Sequence, residues 1–218
     1  MKLDLLIFDL DGTLVDSQYD LTDAVNKMRA DYGGKPLEAA QVRSFLGSGV
    51  NALIKNVLPA GVEDTEKAVL KFKEYYSEIL LDKTKPYDKI PEALHSLRDI
   101  QKAVLSNKSE AFCKVILNGL GLSKYFGQIW GSDTIAIRKP DPKTIIELAK
   151  LFNADLKKTI MIGDSENDFR AAKASGAKSL AVLYGYGGID VVNKFKPDYI
   201  AKTPQEIVEI IKEVQDDN

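Results

Sequence analysis

The apolar residues of this chain fall into two patterns. Short, nearly continuous apolar runs predict strands that are buried on both faces of a parallel sheet, and amphipathic stretches predict helices. The predicted strands are 3–9 (LDLLIFD), 103–105, 159–162 and 179–183, and the helices that alternate with them are 91–100, 110–117, 144–152, 167–174 and a segment after Pro204. This alternation is typical of an α/β fold.

Residues 17–86 show a different pattern, with four helical stretches and no strand candidate. The stretches cover 21–32, 37–45, 50–57 and 63–80. Because the segment follows the first strand and its turn, it enters at the carboxyl edge of the sheet, where α/β folds place their ligand crevice. We therefore expect a Rossmann-like parallel-sheet core, residues 1–16 and 87–218, with an inserted all-helical cap, residues 17–86.

Charge and composition limit the partners. The 30 Lys+Arg against 32 Asp+Glu leave a net charge of −2, so no basic field exists to gather nucleic acid or anionic lipid. No apolar segment is long enough to span a membrane, and aspartates interrupt the apolar start where a signal sequence needs neutral residues, so we expect a cytoplasmic protein. The single cysteine, Cys113, is interpreted as a core thiol.

Two acidic clusters follow predicted strands. Asp9 and Asp11 end the first strand, and Asp164 and Asp168 lie in GDSENDF after the strand at 159–162. Each acid alone could cap a helix or form a turn. Together at one sheet edge, however, they would repel one another unless a divalent cation such as Mg²⁺ were bound.

Cationic and neutral donors accompany the acids. Thr13 follows the first cluster, and Ser106 and Asn107 begin a helix after the middle strand. Lys139 lies in the loop RKPDP, before the helix predicted at 144–152. Such groups can bind a phosphate, and the Lys139 ammonium can also neutralise Asp9. The neighbouring Arg138 is expected to face solvent.

The segments FDLDGTLVDS, LSNKS, RKPDP and IGDSENDF resemble, in order, the signature of the haloacid dehalogenase superfamily. The resemblance implies a Mg²⁺-dependent phosphatase with Asp9 as nucleophile and metal ligand. It makes Asp11 the general acid and base and, through its backbone carbonyl, a metal ligand. It further implies that Asp164 binds the metal, and that Asp168 supports either Asp164 or Lys139. The phosphoryl group would be bound by Thr13, Ser106, Asn107 and Lys139.

The helical insert and the later motifs look most like phosphoglycolate phosphatases and their relatives. A dehalogenase would lack the acid at Asp11, because halide leaves without a proton. In the cap, Arg43 and the turn 47–49, with Ser48 at its centre, are candidates to meet the leaving group of the substrate. A helix-connecting turn beside a solvated arginine is the alternative for this stretch.

Several functions remain open from the sequence. The main hypothesis is hydrolysis of a small phosphorylated metabolite such as 2-phosphoglycolate, by a monomer or homodimer. A sugar phosphomutase of the β-phosphoglucomutase type, or a phosphatase of pyrophosphate or a nucleotide, would need the same core. A non-enzymatic binding module is disfavoured, because it would be expected to lose Asp9 or Asp11, and both are present.

Overall fold

The computed structural model describes residues 2–216, and its centre is a six-stranded parallel sheet in the order β5-β4-β1-β6-β7-β8. The strands are β1 (Leu5–Phe8), β2 (Val15–Asp16), β3 (Lys85–Pro86), β4 (Gln101–Leu105), β5 (Gln128–Trp130), β6 (Thr159–Gly163), β7 (Lys178–Val182) and β8 (Tyr199–Ala201). The helices are α1 (Gln18–Asp31), α2 (Ala39–Arg43), α3 (Val50–Val57), α4 (Thr65–Ile79), α5 (Ile90–Ser96), α6 (Glu110–Gly119), α7 (Lys143–Leu151), α8 (Glu166–Ser175), α9 (Gly188–Phe195) and α10 (Pro204–Asp216). Residues 1, 217 and 218 of the predicted core lie outside the described residues.

The sheet is buried on both faces, as the apolar runs predict. In β1, Leu6 and Phe8 belong to the hydrophobic cluster beneath α5, α6 and α10, while Leu5 and Ile7 belong to the cluster beneath α7 and α8. Successive strand side chains point to opposite faces, so a strand covered on both sides must be apolar throughout. Cys113 lies fully buried in the first cluster, as expected of a core thiol.

The α/β fold is confirmed, and the structure adds elements that the pattern does not indicate. The edge strands β5 and β8 have three residues each and are partly exposed, so they are too short to stand out as buried strands. Helix α9 was likewise not predicted. Among the described residues, no helix is long and apolar enough to cross a membrane.

Helices α1 to α4 lie between β2 and β3, and we refer to residues 17–86 as the helical segment. β2 and β3 pair antiparallel, Val15 with Pro86 and Asp16 with Lys85, where the chain leaves and rejoins the region of the sheet. The expectation of no strand in 17–86 is therefore wrong for β3. The apolar residues of the helical segment continue the cluster beneath α5, α6 and α10, so its position over the sheet edge is fixed by packing.

Candidate active site

The predicted site residues meet at the carboxyl edge of the sheet. Asp9 follows β1, Ser106 follows β4 and Asp164 follows β6, and these three strands are adjacent. A cavity of about 310 Å³ opens here between the core and the helical segment. Its core side includes Asp9, Asp11, Ser106, Asn107, Lys108 and Arg138, and its other side includes Leu21, Phe45, Gly47, Gly49, Asn51, Phe72, Lys73 and Tyr76.

Lys139 forms ion pairs with an aspartate of each acidic cluster. Its Nζ lies 3.0 Å from Asp9 Oδ1 and 2.6 Å from Asp168 Oδ1, and it donates to the backbone carbonyl of Leu105 at 2.7 Å. Although burial alone would lower the pKa of this ammonium, the charges of Asp168 and Asp9 outweigh burial and raise it above its ordinary value. Lys139 is therefore a permanent cation beside Asp9.

The acids form a centre that can hold a divalent cation. Carboxylate oxygens of Asp9, Asp164 and Asp168 lie within 4.8 Å of one another. Burial, and then the charge of Asp168, raise the pKa of Asp9 to about 8 and that of Asp164 to about 7. Neighbouring carboxylates resist ionisation because their charges repel, and a bound metal ion stabilises them as anions. These three carboxylates therefore fit a divalent metal ion.

The three acids are not equally free to bind a metal. Asp168 Oδ1 is occupied by Lys139, and its Oδ2 accepts from the backbone N–H of Ser165 at 3.0 Å and from its hydroxyl at 2.7 Å. The carboxyl of Asp11 is not part of the cluster. Asp168 is thus engaged with a cation, Lys139, whereas the bonds to Asp164 come from neutral donors only. Asp9 and Asp164 are therefore the side chains that could hold a metal, and Asp168 contacts Lys139.

Asp164 is fixed by backbone groups of the loop between β7 and α9. Its Oδ2 accepts from the backbone N–H groups of Tyr186 at 2.6 Å and Gly187 at 3.2 Å. Gly12 has a φ of 82°, and a Cβ there would lie 2.5 Å from Asp164 Oδ2. The glycine therefore allows the Asp164 carboxylate to approach the backbone closely. It also adopts a left-handed backbone conformation that residues with a side chain disfavour.

The residues predicted to bind phosphate are placed differently from one another. Ser106 lines the cavity beside Asp9. The Thr13 hydroxyl is fully buried and donates to Asp164 Oδ1 at 3.3 Å. Asn107 donates to the backbone carbonyls of Gly47 and Lys139, each at 3.0 Å, while its Oδ1 is buried without a partner. Asn107 therefore joins the helical segment to the loop that carries Lys139.

The arginine of the helical segment that was expected to meet the substrate lies outside the cavity. Arg43 is exposed on α2, and neither Arg43 nor Ser48 lines the cavity, although Gly47 and Gly49 do. Arg138, expected to face solvent, is exposed but also lines the cavity, with a guanidinium nitrogen 3.6 Å from the position of a Cβ on Gly49. The structure thus brings Arg138 rather than Arg43 to the opening.

Asp11 meets a lysine to which the sequence analysis assigns no role. Asp11 Oδ1 accepts from Lys108 Nζ at 2.7 Å and from the Ser17 hydroxyl. Lys108 stands in the LSNKS motif, directly after the two residues predicted to bind phosphate. Its position within the motif is the signal in the sequence that could have indicated a role.

Comparisons with known proteins show the family of this chain. Residues 6–182 match the model of the haloacid dehalogenase-like hydrolase family. The chain is 37% identical to the phosphoglycolate phosphatase of Neisseria meningitidis, over 93% of this chain and 91% of that protein. It is 34% identical to the phosphoglycolate phosphatase of Aquifex aeolicus, over 95% and 96%.

A solved structure has a similar fold. The crystal structure of a predicted phosphoglycolate phosphatase from Haemophilus somnus has a TM-score of 0.90 and 27% identity, covering 96% of this chain and 98% of that one. The family model matches most of the chain, and relatives above 30% identity align with nearly its full length. The family is therefore established. The chain belongs to the haloacid dehalogenase-like hydrolase family.

Proposed function

We propose that this chain is a phosphatase of small phosphate monoesters, with 2-phosphoglycolate as its main candidate substrate and Mg²⁺ as its metal. The observation that carries the proposal is Asp9, at the base of the cavity with Lys139 3.0 Å away and Asp164 within 4.8 Å. The relatives named phosphoglycolate phosphatase support the choice of substrate. We also propose that residues 17–86 act as a cap over the core of residues 1–16 and 87–218.

The chemistry follows from the charges around Asp9. A carboxylate attacks a phosphate ester poorly because both are anions, and Lys139 offsets that repulsion. A bound Mg²⁺, held by Asp9 and Asp164, would add charge neutralisation and keep both carboxylates ionised. Asp9 then displaces the alcohol from phosphorus, giving an aspartyl phosphate, while Ser106 is placed to bind a phosphoryl oxygen.

Asp11 supplies the proton transfers. It lines the cavity two residues after Asp9. As general acid it protonates the departing alkoxide, and as general base it then takes a proton from the water that hydrolyses the aspartyl phosphate. Loss of such a group typically slows a reaction by about 10²- to 10⁴-fold, so we expect Asp11→Asn to retain a trace of activity and Asp9→Asn to retain none.

A substrate panel tests the proposal. Phosphate release is measured with Mg²⁺ for 2-phosphoglycolate, pyrophosphate, a nucleoside monophosphate and a hexose phosphate. The matched control is Asp23→Asn, which alters an exposed aspartate of α1 paired with Lys83 and should leave the rate unchanged. Release from 2-phosphoglycolate that disappears in Asp9→Asn supports the proposal. Normal turnover by Asp9→Asn, or sugar isomerisation without phosphate release, contradicts it.

A further inference from the structure

Lys108 stands between the core and the helical segment. Its Nζ donates to Asp11 Oδ1 at 2.7 Å and to the phenol oxygen of Tyr76, on α4, at 2.9 Å. The Lys108 side chain is only 8% exposed and that of Asp11 16%. A buried ammonium with two defined acceptors has little freedom to move, so its contacts fix the groups on either side.

Tyr76 is itself held in place by aromatic packing. Its ring stacks on Phe72 with centroids 5.6 Å apart and meets Phe112 of α6 edge-on at 5.2 Å. Tyr76 is fully buried, and burial raises the pKa of its hydroxyl to about 12, so the phenol stays neutral near physiological pH. The position of its oxygen is therefore defined by contacts on both the cap side and the core side.

The two donors on Asp11 distinguish its carboxylate oxygens. Oδ1 is occupied by Lys108 and by the Ser17 hydroxyl. Among residues 2–216, no hydrogen bond or ion pair is found to Oδ2, and Asp11 lines the same cavity as Asp9 and Ser106. This arrangement presents Oδ2 as the oxygen that faces the ester, and it would be lost if the carboxylate could rotate.

An alternative is that Lys108 merely neutralises a partly buried acid. Because an ammonium has three N–H donors, a second acceptor is expected in either role, so the second bond alone does not decide between them. What favours positioning is that the second acceptor is the Tyr76 oxygen, which ring packing fixes on the opposite side of the cavity. We propose that Lys108 is a positioning residue that holds Asp11 in its orientation for proton transfer, and that Tyr76 completes the arrangement from the helical segment. This inference rests on the proposed function, since it takes Asp11 as the general acid.

Leaving-group dependence separates positioning from a general structural role. A nitrophenolate leaves without a proton, whereas an alkoxide needs the general acid. The test is the single-turnover rate of Asp9 phosphorylation, by rapid quench, with p-nitrophenyl phosphate and with 2-phosphoglycolate or the best alkyl phosphate of the panel. For Lys108→Met we expect a loss of about tenfold or more with the alkyl ester and little change with the aryl ester. Tyr76→Phe, which keeps the ring packing, should shift the ratio of the two rates in the same direction by a smaller factor.

Two further variants make the outcome decisive. Lys150→Met alters an exposed lysine of α7 that is paired with Glu147 and does not line the cavity, so it should leave the ratio of the two rates unchanged. Asp11→Asn should show the same preference for the aryl ester as Lys108→Met. If Asp11→Asn affects both esters equally, the acid assigned in the proposed function is wrong. If Asp11→Asn discriminates but Lys108→Met and Tyr76→Phe slow both esters equally, Lys108 is not a positioning residue. Should Lys108→Met fail to fold by circular dichroism, Tyr76→Phe decides alone.

Discussion

Replacing Asp168 by Asn probes the buried charges that hold Lys139. Asp168 is fully buried, and its Oδ1 lies 2.6 Å from Lys139 Nζ while its Oδ2 accepts two bonds from Ser165. An asparagine has one oxygen for these partners. If that oxygen keeps Ser165, the amide NH₂ faces the lysine ammonium, so a donor meets a donor.

The magnitude follows from what Lys139 retains. Removing one partner of a buried ion pair typically costs about 3–5 kcal/mol. Lys139 keeps Asp9 at 3.0 Å and the Leu105 carbonyl at 2.7 Å, and the pKa of Asp9 should fall when the nearby charge of Asp168 is removed. We therefore expect the free energy of unfolding to fall by about 2–3 kcal/mol, below the full cost of an unpaired charge.

Urea denaturation in the presence of a chelator measures this change without a contribution from bound metal. With a slope of about 2–3 kcal/mol per M, the midpoint should fall by about 1 M at unchanged slope. Asp23→Asn is the matched control, because Asp23 also lies 2.6 Å from a lysine, Lys83, but at an exposed position. Its midpoint should not move. A change below about 0.5 kcal/mol for Asp168→Asn, within the range of ordinary surface substitutions, would refute the claim that Asp168 anchors Lys139.

Three further predictions address the metal and the cap. Because the pKa values of Asp9 and Asp164 are raised above those of an unfolded chain, the metal-free protein should lose stability as pH rises from about 4 to about 8. Mg²⁺ should accordingly raise the melting temperature more at about pH 9 than at about pH 6; an equal rise at both would contradict the assigned ligands. Gly12→Ala should weaken Mg²⁺ binding in calorimetry and destabilise the fold by about 1–2 kcal/mol. Gly61 has a φ of 84° and open space around it, so Gly61→Ala should destabilise the fold similarly without loss of metal affinity. Asn167 donates to the Gly47 carbonyl at 3.0 Å, so Asn167→Ala should loosen the 47–49 turn and increase its cleavage by protease, and unchanged cleavage would show that this bond does not hold the turn.

The sequence indicates those parts of the fold whose burial produces a recognisable pattern of apolar residues along the chain. β1 and β6 are covered on both faces, so their residues form continuous apolar runs that were predicted within a few positions. β5 and β8 lie at the edges of the sheet and have three residues each, so they are too short and too exposed to stand out as buried strands. The grouping of the acids at the strand ends was predictable for another reason: parallel strands bring their carboxyl ends to the same edge of the sheet.

The remaining features depend on packing between segments far apart in the chain. The N–H groups of Tyr186 and Gly187 bind Asp164 through the backbone, which side-chain chemistry does not reveal. Arg138 and Arg43 are equally cationic in the sequence, and only the docking of the helical segment brings the first of them to the cavity. Lys108 could equally have been a solvated charge until Tyr76, 32 residues earlier, was found beside it.

The most direct test of the account is identification of the residue that carries the phosphoryl group. The enzyme is mixed with Mg²⁺ and 2-phosphoglycolate, quenched within one turnover and reduced with borohydride, which converts an aspartyl phosphate to homoserine. Peptide mass spectrometry should then find the modification at Asp9 and nowhere else. Modification of another residue, or steady turnover with Asp9 never modified, would contradict covalent catalysis by Asp9.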